Sequence, residues 1–470
     1  MKNLFRSLFL SLTLVIGIGA ISYIPQAEAQ SKTKGNYKKA RVLSSKAAKI
    51  ITRVVEALER LDDEGKEDPD FAEAKRLLTD MELNKDTFKS YDRSVMYNYW
   101  GYLHFNDEDY DKAMRSYELL LNEPEVTLPL RTASLYTLAQ LYLVKENYAK
   151  GIELILTWMD EVENITAQSY SLLSQAYFQT SEYQKSLDAM LEAVRLAEEV
   201  EEYRPKENWY VLLAACYSEL KDQKKVTEKF ALEKQRDIYE ILVNYYPKKL
   251  YFLQLGGVYG QMNRELDYMI TLKAAFEQDL LDREGEYLAL AQLLLLNKNP
   301  YWAANVLVNG QNKKVAIKNE ETGKEEIQPV VKDTEKNLKL LADAWRIAQE
   351  TDKAIPVLEK AAKLSQEGET FILLGNLYLV EDKLDDAVRA INEGIKKGKL
   401  KKPSQARLVL GQAYFELENF EEAKKQFRIA ARDEDSKVKK TANSWIKYAE
   451  NEEVRVKNLA LRREYIEQNS

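Results

Sequence analysis

The 470-residue sequence has one cysteine, Cys216, and one histidine, His104. A single cysteine excludes an intramolecular disulfide, so the fold must be held by packing. One residue of each kind also leaves almost no room for a Cys–His dyad or a histidine-based metal site. Glycine (17) and proline (10) are scarce for this length, which suits long helices on short connections better than a many-turned β fold. No glycine loop suited to cradling phosphate is present: "GGVYG" at Gly256 falls inside a helical pattern. "HFNDEDYD", from His104, is acidic but lacks the glycine and closing glutamate of a calcium loop. Cys216 lies on an apolar helix, the setting of a buried structural thiol. The sequence therefore predicts no enzyme, no catalytic residue, no metal and no cofactor.

Long hydrophobic runs are missing too, apart from one at the start. "LFLSLTLVIGIGAISYI" (Leu8 to Ile24) follows Lys2 and Arg6 and ends at Pro25; "AEA" (Ala27 to Ala29) precedes Gln30. This is the layout of a signal peptide over 1–29. No cysteine near the cleavage site would take a lipid. The leader holds Lys2, Arg6 and Glu28, so its loss moves the net charge from −7 to −8. That balance disfavours nucleic acid or an anionic membrane surface as partner. The mature chain is expected to be exported, without a membrane span.

What is there in quantity is aromatic residues, in a recurring frame. "YNYWGYLHFNDEDYDKAMRSYELL" (Tyr97 to Leu120) holds the lone histidine among many rings. The same skeleton returns in "LYTLAQLYLVKENYAKGIELIL" from Leu135, "YSLLSQAYFQTSEYQKSLDAML" from Tyr170, "FILLGNLYLVEDKLDDAVRAIN" from Phe371 and "RLVLGQAYFELENFEEAKKQFR" from Arg407. A small residue stands mid-way along a first helix: Gly101, Ala139, Ser174, Ala214, Gly256, Ala291, Ala342, Gly375 and Gly411. Three residues on comes a bulky ring or its substitute: His104, Tyr142, Tyr177, Tyr217, Tyr259, Leu294, Trp345, Tyr378 and Tyr414. A third position in the second helix falls at Ala113, Gly151, Ser186, Val226, Tyr268, Ala303, Ala354, Ala387 and Ala423. Small residues let two helices approach closely, and large residues at i, i+3 and i+7 make one apolar stripe. No helix pair buries that stripe alone; stacked neighbours make a continuous core.

This skeleton resembles the tetratricopeptide repeat, an antiparallel helix pair of about 34 residues. The resemblance implies an all-α solenoid, a right-handed superhelix of helix pairs closed by a C-terminal capping helix. The expected order is N-terminal helices over 30–90, a repeat array over 91–310, an insertion loop or hairpin over 311–333, a second array over 334–435 and the capping helix over 436–470. His104 then occupies a packing position rather than a catalytic one. Candidate groove residues, on outward positions of the first helices, are Asn98, Tyr102, Tyr136, Gln140, Gln175 and Phe178. A Lys–Asn pair one turn apart, which some of these repeats use to grip a peptide carboxylate, is missing: Lys339 is followed by Asp343, and Asn376 is preceded by Ile372.

Further segments narrow the likeness. "ENWYVLLAACYSEL" (Glu207 to Leu220), "LVNYYPKKLYFLQLGGVYGQM" (Leu242 to Met262), "KNPYWAANVLVNG" (Lys298 to Gly310) and "KAIPVLEKAAKLSQEGETFILLGNLY" (Lys353 to Tyr378) resemble exported repeat proteins encoded beside TonB-type components in Gram-negative bacteria. That likeness implies a periplasmic protein–protein scaffold, an accessory of a TonB–ExbB–ExbD-type energy-transduction complex for outer-membrane uptake. The alternative is an envelope-assembly scaffold for outer-membrane protein insertion or polysaccharide export.

Overall fold

The computed structural model describes residues 41–199, 204–318 and 325–469. The leader at 1–29 lies outside the described residues, as do positions 30–40. Among the described residues are 21 α-helices and one β-hairpin, and no helix is long and apolar enough to cross a membrane. The chain divides into two compact units, Met1–Leu242 and Val243–Ser470.

In the first unit an opening pair, α1 (Ser45–Leu58) and α2 (Phe71–Leu83), precedes α3 (Ser90–Asn106) and α4 (Tyr110–Leu121). The pairs α5 (Leu128–Val144) with α6 (Tyr148–Glu161) and α7 (Ala167–Gln179) with α8 (Tyr183–Glu198) follow. Then come α9 (Glu207–Asp222) and α10 (Glu228–Tyr245). Ile51, Leu78, Met96, Leu103, Leu120, Leu138 and Leu141 are nearly fully buried and belong to one continuous core. Asp92 ties the first two pairs together. Its fully buried carboxylate accepts from the N–H of Ser44 (2.9 Å) and of Lys89 (3.1 Å), so it joins the starts of α1 and α3.

The second unit continues with α11 (Lys249–Gln261), α12 (Glu265–Glu277), α13 (Glu284–Leu296) and α14 (Pro300–Asn312). A hairpin of β1 (Lys314–Lys318) and β2 (Glu325–Pro329) interrupts the helices. Its antiparallel register pairs Lys314 with Pro329, Val315 with Gln328 and Ala316 with Ile327. Helices resume as α15 (Glu335–Ile347), α16 (Thr351–Leu364), α17 (Glu369–Val380), α18 (Leu384–Lys397), α19 (Pro403–Glu416) and α20 (Phe420–Ala430). The 33-residue α21 (Ser436–Gln468) covers the last pair: Ala442 and Ala449 are fully buried, and Trp445 stacks on Phe427 at 5.5 Å. Lys424, nearly buried, binds Glu421 (2.6 Å) on its own helix and Glu453 (2.7 Å) on α21.

From α3 onward, each first helix ends in the same way. A non-glycine residue takes a left-handed conformation, φ between +55° and +62°, at Glu108, Glu146, Ser181, Lys224, Asn263, Lys298, Gln349, Asp382 and Glu418. The next N–H then reaches back to a carbonyl five residues earlier: Asp109 to His104, Asn147 to Tyr142, Glu182 to Tyr177, Arg264 to Tyr259, Lys383 to Tyr378 and Asn419 to Tyr414. This bond satisfies an orphan carbonyl at the helix C-terminus and reverses the chain. In three repeats the residue after the turn also caps the second helix, with Asp109, Asn147 and Asn419 accepting from Lys112, Lys150 and Glu422. The bulky position of the repeat is thus also where the first helix closes.

Close approach explains the small positions. A Cβ on Gly101 would lie 2.6 Å from the Tyr117 ring, one on Gly375 2.3 Å from Ile391, and one on Gly411 2.4 Å from Phe427. In the fifth pair the sizes are exchanged. Tyr268 stands where a small residue was expected, and its ring fills the space over Gly256.

The fourth pair corrects the sequence alignment. Its turn bond runs from Lys225 to Leu220, not to Tyr217, and the left-handed residue is Lys224. The first helix runs one turn further past its small position Ala214 than α3 does past Gly101 or α5 past Ala139, so Val226 falls in the turn before α10 rather than in its packed face. Ala231, fully buried, and Gln235, whose Nε2 donates to the Ala214 carbonyl at 3.1 Å, make the close contact instead.

Candidate functional site

The six groove candidates all lie on first helices of the first unit, and all are half-buried. Asn98 and Tyr102 are on α3, Tyr136 and Gln140 on α5, Gln175 and Phe178 on α7. The aromatic three are engaged in packing. Tyr102 and Tyr136 rest against the core. The Tyr136 ring lies 4.9 Å from Trp158 of α6, and its hydroxyl bonds Ser169 of α7. Burial pushes the Tyr102 and Tyr136 hydroxyls above the ordinary phenol range. Phe178 meets Tyr183 of α8 edge to face at 5.1 Å. Gln175 donates to Ser171 on its own helix at 3.2 Å. A partner on this face would meet only the remaining surface of Tyr102, Tyr136, Gln175 and Phe178. His104 stacks on Trp100 with ring centres 5.0 Å apart. Burial, reinforced by Lys112, holds its pKa below the usual value. It is a neutral packing ring at physiological pH.

Among the described residues no group of three or more His, Cys, Asp or Glu could hold a metal ion. Cys216 is fully buried against Ser186 Oγ at 3.3 Å, and burial pushes its thiol up to about 12.

A better-formed cleft lies in the second unit, between α15 and α17. It encloses about 360 Å³. Leu358 and Leu377, each 6% exposed, form an apolar floor. Lys339, Asp343 and Arg346 come from α15, and Asn376 with Leu373 and Val380 from α17. Leu373 is 41% and Val380 75% exposed, a large apolar surface beside charge. Arg346 leans on Asp343 at 3.3 Å, and Lys339 is 3.8 Å from Glu335; both are loose surface pairs that leave the cations available. Asn376 spends its Nδ2 on the Ile372 carbonyl at 3.0 Å, which leaves its side-chain oxygen as an acceptor. The cleft can thus seat an apolar side chain while polar groups fix the backbone beside it.

Sequence reasoning missed this cleft because it sought lysine and asparagine within one helix. Lys339 and Asn376 belong to successive first helices. The available signal was the register: Lys339 lies three before Ala342 and Asn376 one after Gly375, two positions on the same face.

Two family models described as tetratricopeptide repeat match the chain, over residues 372–437 and 167–200. No curated relative matches the sequence. Solved structures with similarity include MamA, 20% identical over 40% of this chain and 92% of that one, with a TM-score of 0.33. A tetratricopeptide repeat protein from Parabacteroides merdae is 14% identical over 56% of this chain and 92% of its own, TM-score 0.33. The TPR2AB domain of yeast Sti1, solved in complex with pHSP90, is 11% identical over 61% of this chain and 98% of its own, TM-score 0.32. The chain thus carries tetratricopeptide repeats over those two stretches, and the antiparallel helix pairs elsewhere share the same repeat fold.

Proposed function

We propose that this chain is a non-enzymatic scaffold of the Gram-negative periplasm, an accessory of a TonB–ExbB–ExbD-type complex that drives outer-membrane uptake. The observation that carries the binding role is the cleft between α15 and α17, with its apolar floor and the exposed Leu373 and Val380 beside Lys339, Arg346 and Asn376. Exposed apolar surface rimmed by polar groups is the mark of an interaction site. The signal-peptide layout of 1–29 supports export, and the resemblance of the four quoted segments supports the TonB-type setting. The groove takes a segment of the partner chain, apolar side chains down and backbone along the polar rim.

Chemical crosslinking in cells of the tagged full chain, read by mass spectrometry, tests the assignment. Recovery of TonB-, ExbB- or ExbD-like proteins, lost in Leu373→Glu, is the expected result. Recovery of outer-membrane assembly or polysaccharide-export proteins instead overturns the TonB-type reading in favour of an envelope-assembly scaffold. N-terminal sequencing of the mature protein should begin at Gln30; an intact Met1 counts against export by cleavage.

A further inference from the structure

The hairpin between α14 and α15 has one edge that can take a strand and one that cannot. The Val330 N–H donates to the Lys313 carbonyl at 2.9 Å, next to the register pair Lys314–Pro329. Antiparallel pairs alternate between hydrogen-bonded and non-bonded. Val315–Gln328 and Ile317–Glu326 are therefore the inward, bonded pairs. Lys314, Ala316 and Lys318 turn their backbone groups outward from β1, and Glu325, Ile327 and Pro329 turn theirs outward from β2. On β2 that row contains Pro329, which has no N–H to give. On β1 the N–H groups of Lys314 and Ala316 bond no other group among the described residues.

At the foot of the hairpin is a cavity of about 650 Å³, lined by Val315 and Ala316 of β1, by Val330 and Lys332 just after β2, and by the turn at Asp282, Arg283 and Glu284. It meets β1 at consecutive residues, whose side chains point to opposite faces, so it touches the strand backbone as well as one face of the hairpin. The charges around it are unequal in availability. Glu284 Oε1 is engaged by the Lys332 N–H (3.0 Å) and Asn337 Nδ2 (2.7 Å), and Asp282 is paired with Lys249. Arg283, Lys314 and Lys332 are exposed and have no ion-pair partner among the described residues. A second copy of β1 would bring like charge against like charge, a standard defence against self-pairing. An acidic strand meets no such barrier.

We propose that the outer edge of β1 accepts an extended, acidic segment of a partner protein as a third strand, seated between Val315–Ala316 and the 282–284 turn. Main-chain bonds to Lys314, Ala316 and Lys318 hold the strand, and Arg283 and Lys332 select its charge. This site is separate from the α15–α17 cleft, so the failure of either leaves the other standing.

The test uses the full chain and a fluorescein-labelled, acetylated octapeptide alternating glutamate and valine. Anisotropy should show saturable binding, and hydrogen exchange should slow at 314–318. Lysine in place of glutamate, or N-methylation of alternate valines, should weaken binding about tenfold or more, as should Ala316→Pro. Proline there removes only an outward N–H, as Pro329 does on the opposite strand. The double variant Arg283→Glu, Lys332→Glu alters exposed side chains alone and should weaken the acidic peptide by a similar factor while improving the lysine peptide. Absence of saturation, equal binding by Ala316→Pro and the charge-reversed variant, or protection appearing on α15 and α17 instead of β1 each overturns the proposal.

Discussion

Replacing Gly411 by alanine puts the close-packing argument at risk. Gly411 is in the middle of α19, where alanine is ordinarily the better helix former by about 1 kcal/mol. Here a Cβ would lie 2.4, 2.6 and 2.9 Å from three atoms of the Phe427 ring. That ring is fully buried and stacked on Trp445 of α21, which leaves it little room to swing away. Overpacking of this kind costs roughly 1–3 kcal/mol, and a fully buried ring stacked on its neighbour puts the cost at the upper end. The net expectation is a loss of about 1–2 kcal/mol. Gly257 in α11 provides the opposite case, since a Cβ there meets nothing within 4 Å. Gly257→Ala should gain about 0.5–1 kcal/mol. A repeat array does not unfold as one unit, so the readout must be local. Native-state hydrogen exchange should accelerate about 5- to 30-fold in α19 and α20 of Gly411→Ala, and slow in α11 of Gly257→Ala. Protection in Gly411→Ala equal to or above the parent would refute the reasoning.

Three further outcomes follow from individual groups. Asp92→Ala strands the N–H groups of Ser44 and Lys89 and should cost about 1–3 kcal/mol, seen as faster exchange at the start of α1; unchanged exchange there contradicts the tie. The Lys424 ammonium, with Lys457, holds Glu453 well below its ordinary 4.5, down to about 2. Because the folded-state value is depressed, this stabilisation is full above pH 4.5 and is lost as pH falls toward 2. Exchange in α21 should therefore rise across that window in the parent and lose this component in Lys424→Met; identical pH profiles count against the latch. Cys216, its thiol raised to about 12 by burial, should resist a maleimide at pH 8 in the native protein and react promptly in denaturant; rapid native labelling would show the site to be open.

The paired-helix plan was legible because its determinants are local and periodic. A glycine or alanine, a ring three residues on and a polar turn specify close approach, an apolar stripe and a reversal within one stretch of chain. The reading slipped at the fourth pair, where the first helix runs an extra turn past Ala214, moves the closing carbonyl from Tyr217 to Leu220 and leaves Val226 in the turn. Periodicity gives the face of a helix but not where it stops. The cleft was hidden for a different reason. Lys339 and Asn376 meet through stacking of successive repeats, a relation that a search within one helix does not see. Half-burial of Tyr136 and Phe178 depends on Trp158 and Tyr183 from the following second helices, again a contact between elements. The open edge of β1 needed the backbone register, which places Pro329 outward on the opposite strand.

The most direct test of the scaffold account is a photo-crosslinker installed in living cells at single positions of the full chain. Placed at Leu373, in the cleft, it should give a discrete adduct with an envelope protein. Placed at Leu266, an exposed residue of α12, it should give none. An adduct from Leu266 with none from Leu373 would contradict the assignment of the α15–α17 cleft as the binding surface.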